Sequence, residues 1–147
     1  MPVKKKLGFS LLEVLIFVSI IGLFFIAAAS IATISLRGIQ SNENKILATR
    51  YAEELLEWVR GEKEEDWTVF TTTRMGNWCF SQEPIADWPA ASANGLCSSQ
   101  QVIDSLFKRE ITLQLSGERV NVSINVVWNE GNQTISVPVK TVFERFE

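Results

Sequence analysis

The stretch "KKKLGFSLLEVLIFVSIIGLFFIAAASIATISLR", residues 4 to 37, decides how this chain is built. Between Val14 and Leu36 it runs for 23 residues without a charge. At about 1.5 Å of rise per residue that run covers roughly 34 Å as a helix, enough to cross a hydrocarbon core of about 30 Å. Lys4, Lys5 and Lys6 put its start on the cytoplasmic side through the positive-inside bias. Glu13 breaks the pattern, a carboxylate five residues after Gly8. Insertion scales put a charged side chain at the bilayer centre at about 2.5–3.5 kcal/mol, and the cost falls toward the edge. Position near the edge makes Glu13 tolerable without explaining it.

Two readings compete for residues 1 to 36. One is a secretory signal with a basic start, an apolar middle and a small-residue cleavage site at Ala27–Ala29. The other is a retained membrane-spanning helix. Length favours retention, because "SIATISL" continues the uncharged run past the alanines. Glu13 also fits poorly in a disposable apolar region.

Beyond the run, the period of the sequence changes. From Leu47 to Val59 the spacing is helical: Leu47, Ala48, Tyr51, Ala52, Leu55, Leu56, Trp58 and Val59 share one half of the wheel. Arg50, Glu53, Glu54, Glu57 and Arg60 take the other half, and Gly61 offers a C-terminal stop. One long helix from about residue 10 to 60 is the simplest account. Residues 62 to 105 keep no period and are rich in Trp, Pro, Asn, Gly and Ser, a connecting region with little regular structure. Its Trp67, Phe70, Trp78, Phe80 and Trp88 are expected to fold back onto the core, the sharper alternative being a binding platform.

The last forty or so residues alternate with period two. Ile111, Leu113 and Leu115 share a face; so do Val120, Val122, Ile124, Val126 and Trp128, then Ile135, Val137 and Val139. "SGE" and "NEGN" supply turns, which predicts a three-stranded antiparallel meander. Pro138 lacks a donor, so the last strand is expected to be an edge or to be paired on one side only there. The fold class is therefore α+β, with a long helix, apolar then amphipathic, packed on a C-terminal antiparallel sheet.

Composition excludes more than it identifies. The net charge is −3, and without the first eight residues it falls by three lysines to −6, so no nucleic-acid partner is expected. With no histidine and only two cysteines, Ser–His–Asp triads, Cys–His dyads and histidine-containing zinc sites are absent. No carboxylate pair stands out, "EKEED" (62 to 66) reads as a solvated turn, and no enzyme, metal or cofactor is expected. Cys79 and Cys97 suit a disulfide in an exported head, with free thiols or a shared metal as the alternatives. "NVS" at Asn121 and "NQT" at Asn132 match a glycosylation pattern that arises often by chance.

At "KKKLG|FSLLEVL" the chain resembles the type IV prepilins and the pseudopilins of type II secretion. Their shared signal is a short basic leader, Gly before the cut, a hydrophobic residue after it, and Glu fifth in the mature chain. The resemblance implies cleavage by prepilin peptidase between Gly8 and Phe9, N-methylation of Phe9, and a role in assembly for Glu13. "YAEELLEWVRGEKEEDW" and "VVWNEGNQTISVPVKTVF" are similar to the helix end and closing hairpin of minor pilins of the pilus-modification type and of small minor pseudopilins. Expected boundaries are a leader at 1–8, a transmembrane and filament-core helix at 9–36, an amphipathic half at 37–61, the connecting region at 62–105 and the sheet at 106–147. The implied partners are other pilins, the peptidase and an inner-membrane assembly platform. The head would lie outside that membrane, and then in a filament at the cell surface or in the periplasm. Ser30 stands where major pilins often have a helix-kinking proline, and both cysteines precede the sheet rather than closing a C-terminal loop.

Overall fold

A computed structural model of the chain describes residues 10–89 and 96–145. Among them are two helices and four strands: α1 (Leu11–Glu65), α2 (Trp67–Thr73), β1 (Gly76–Cys79), β2 (Lys108–Ser116), β3 (Arg119–Glu130) and β4 (Gln133–Glu144). Two units divide at Ser41 and Asn42, and α1 contributes to both.

In the first unit every described residue from 10 to 40 is exposed, and α1 is long and apolar enough to cross a membrane. A helix that is apolar all round needs a lipid or protein cover. It continues without a break through Ala27–Ala29, and Ser30 Oγ donates to the Ile26 carbonyl at 2.9 Å.

In the second unit the rest of α1 packs on the sheet. Ala48, Tyr51, Ala52, Leu55 and Val59 are buried, as their spacing predicts. The helix runs past Gly61, where a stop was expected, to Glu65. Glycine in a helix costs about 1 kcal/mol, and continued packing offsets it. Lys63 falls four residues after Val59 on the same stripe, is buried, and holds its ammonium 5.5 Å from the centre of the Phe143 ring.

The sheet is antiparallel throughout in the order β1-β2-β3-β4. Register aligns Ile111 with Ile124 and Ile124 with Val139, and pairs Trp128 with Ile135, so the alternating residues do share the inner face. Gly117 and Gly131 open the two hairpin turns at φ of 64° and 61°, conformations that glycine adopts without a Cβ penalty. β4 is an edge, with Pro138 opposite Asn125.

Three strands were expected and four are found, because the connecting region contains regular structure. "GNWC" is too short to show a period by itself. It becomes β1 by pairing with β2, which brings Trp78 opposite Ile111. The sequence of α2, "WTVFTTT", is poor in helix formers. Asp66 nucleates it by accepting the Val69 N–H at 2.9 Å, and Phe70 is buried beneath. The Thr71, Thr72 and Thr73 hydroxyls donate back to carbonyls four residues earlier at 2.7–2.9 Å.

The aromatic residues of this region fold back onto the core. Trp88 gathers them, with ring centres 5.3 Å from Trp58, 5.5 Å from Phe80 and 5.7 Å from Trp78. Its Nε1 donates to Glu62 Oε2 at 2.6 Å, and the Arg74 guanidinium lies 4.9 Å over the ring.

Candidate functional site

Besides the buried Lys63, two polar places among the described residues interrupt the apolar logic, one in each unit. In the first, Glu13 sits in the opening turn of α1, where its backbone N–H and that of Val14 donate to the Ser10 carbonyl at 3.0 and 3.2 Å. Leu12, Ile16, Phe17 and Ile20 line the same shallow hollow on the helix surface. The Glu13 carboxylate has no hydrogen bond or ion pair among the described residues, and a negative charge near a helix N-terminus is favourable to a modest degree. Gly8, Phe9, Lys4, Lys5 and Lys6 lie outside the described residues.

In the second, Arg109 is completely buried in the head. Alternation along β2 puts it on the inner face beside Ile111 and Leu113, so the guanidinium must find its partners inside. Its Nη1 meets Glu54 Oε2 at 3.1 Å and donates to the Tyr51 carbonyl at 3.3 Å. The Nε and Nη2 donate to the Phe80 and Gln82 carbonyls at 3.3 and 2.7 Å. Arg109 thus ties α1 to the chain leaving β1. The Tyr51 hydroxyl donates to Asp104, which draws the other end of the connecting region into the same cluster.

Electrostatics follow from this crowding. Burial first, and then Asp104, push the Tyr51 phenol up to about 12. Burial raises the Glu83 carboxyl, reinforced by Glu54. Burial lowers Arg109 while Glu54 opposes the shift. The Arg109 donors are taken by Glu54 and by three backbone carbonyls, so the cluster fastens the connecting region to α1.

Cys79 and Cys97 form a disulfide with Cα atoms 5.0 Å apart. The Cys97 N–H donates to Glu110 Oε1 at 2.9 Å, fixing the far end of the loop over β2. The structure therefore brings the two cysteines together and leaves Glu13 by itself on the apolar helix. Arg109 was missed in the sequence, although a charged residue at an inward position of the 109, 111, 113 alternation was a readable sign.

An apolar N-terminal helix continued into an amphipathic half that packs on a C-terminal antiparallel sheet is a pilin-like architecture. No family model matches the chain, and no curated protein and no solved structure matches it either.

Proposed function

We propose that the chain is a minor pilin or pseudopilin, a subunit of a type IV filament or of a type II secretion-like system. Prepilin peptidase would cut it after Gly8, and it would assemble through α1. It acts as a substrate and a building block rather than as an enzyme. One observation carries the reading: Glu13 is a carboxylate without a partner among the described residues, set in the first part of α1, where residues 10 to 40 are exposed all round. Such a helix asks to be packed among others like it, and in that dry setting an unpaired carboxylate is heavily penalised. The amine of Phe9, freed by cleavage on a neighbouring subunit, is the complementary charge that the motif supplies. The disulfide in the head suits a compartment outside the cytoplasm.

Mass spectrometry of the mature N-terminus tests this directly. The expected chain begins at N-methylated Phe9 and depends on the peptidase. A chain that keeps Met1 would be a membrane-anchored binding or sensor domain instead. One that begins at Ser30 would be a secreted head.

A further inference from the structure

The outer face of the sheet, opposite the core, carries a shallow groove of about 550 Å³. Register dictates its lining. Gln114 pairs with Asn121 and Asn121 with Val142, while Thr112 pairs with Ser123 and Ser123 with Lys140. Two adjacent rows of outward side chains therefore cross β2, β3 and β4. Four of these six carry an amide or a hydroxyl, and Lys140 is the one ionised group among the lining residues. Its ammonium has no hydrogen bond or ion pair among the described residues. The carboxylates on this face are engaged elsewhere: Glu144 Oε1 with Arg119 at 2.7 Å and Glu110 Oε1 with the Cys97 N–H at 2.9 Å. One row further, Asn125 Oδ1 is buried without a donor among the described residues.

We propose that this groove binds an acidic saccharide, with a uronic-acid carboxylate on Lys140 and ring hydroxyls on the amides and hydroxyls around it. Amide and hydroxyl side chains both donate and accept, as sugar hydroxyls do. A cation with no acid beside it gives a local preference for an anion. Other ligand classes fit worse. Nucleic acid needs several phosphate contacts and the groove holds one cation. An extended peptide would pair with the free edge of β4 through its backbone, which uses none of the outward side chains of the groove. A lipid needs apolar area, and Val142 is the one outward apolar side chain in the two rows. The groove lies wholly in the head, so the inference stands apart from filament assembly.

The test is titration of the full-length chain in detergent micelles with tri-galacturonic acid, with maltotriose as the uncharged comparison, followed by calorimetry. Tri-galacturonic acid is expected to bind saturably and at least about tenfold more tightly than maltotriose. Lys140→Glu should weaken it about tenfold or more and Lys140→Ala several-fold, while Lys140→Arg stays within about threefold. Lys108→Glu, on the same face but outside the groove, should leave it unchanged. Circular dichroism confirms that each variant is folded, and Lys140→Ala serves if charge reversal disturbs the sheet. Absence of saturable binding, equal affinity for maltotriose, or equal losses from Lys140→Glu and Lys108→Glu would each overturn the proposal.

Discussion

Arg109 Nη1 and Glu54 Oε2 lie 3.1 Å apart, joining β2 to α1 through an arginine whose side chain has no exposure while the glutamate keeps a third of its own. That asymmetry predicts unequal mutants. Arg109→Met strips donors from Glu54 and from the Tyr51, Phe80 and Gln82 carbonyls together, and should cost about 3–5 kcal/mol. Glu54→Gln keeps an acceptor oxygen near the guanidinium and is partly solvated, so it should cost about 1 kcal/mol. Urea unfolding followed by tryptophan fluorescence measures both. Equal losses would mean that Arg109 acts through the Glu54 pair alone, and not as a fastener of the connecting region.

Tyr51 is the single tyrosine of the chain, so phenolate absorbance reports it without ambiguity. Its pKa is pushed from 10.0 to about 12, first by burial and then by Asp104. The folded state therefore holds this proton more tightly than the unfolded state. The resulting stabilisation is fully present below about pH 10 and is lost as pH rises through about 12, reaching a few kcal/mol in all. Alkaline titration of the folded chain should give a midpoint near 12, and urea-unfolded chain one near 10. Asp104→Asn removes the charge that opposes ionisation and should lower the folded midpoint. An unchanged midpoint in that variant would leave burial as the only cause.

The helix–sheet arrangement was legible because each buried surface follows one period. Ala48 to Val59 obeys the helical spacing, and Ile111 to Val139 obeys the alternation that register later aligns. What escaped was decided by contacts between distant segments. β1 exists because β2 offers it a partner, and α2 because Asp66 caps it and Phe70 has a core to enter. Gly61 reads as a stop in the local sequence, and only the Phe143 ring under Lys63 shows why the helix continues. At the candidate site, Glu13 was visible as a charge out of place. Arg109 could be read as a charge at an inward position, but its partners could not, because Glu54 is 55 residues away and the rest are backbone carbonyls, which have no signature in a sequence.

The Cys79–Cys97 bridge closes a segment with a sequence separation of 18, the part of the chain that carries Trp88 onto the aromatic cluster. The chain-entropy account gives such a loop roughly 3 kcal/mol. Replacing both cysteines with alanine should lower unfolding stability by about that amount and red-shift the tryptophan emission. Alkylation without reductant should leave both thiols unlabelled, and alkylation after reduction should label both. Labelling before reduction would show that the bridge is not formed in the head.

On the proposed reading, Glu13 separates insertion from assembly. Glu13→Leu keeps the apolar run, the basic leader and the Gly8–Phe9 bond, so the variant should still enter the membrane and lose its leader. In a packed core it would leave the Phe9 amine of a neighbour without its counter-charge, and removing one partner of a buried pair costs about 3–5 kcal/mol. By equilibrium arithmetic that is a loss of about a hundredfold or more in incorporation. Glu13→Asp, which keeps the charge on a shorter arm, should recover part of it. Quantifying the head in sheared filaments against the membrane pool gives the ratio for each variant. Wild-type incorporation of Glu13→Leu would refute the pairing and reduce Glu13 to a carboxylate that merely reaches the membrane edge.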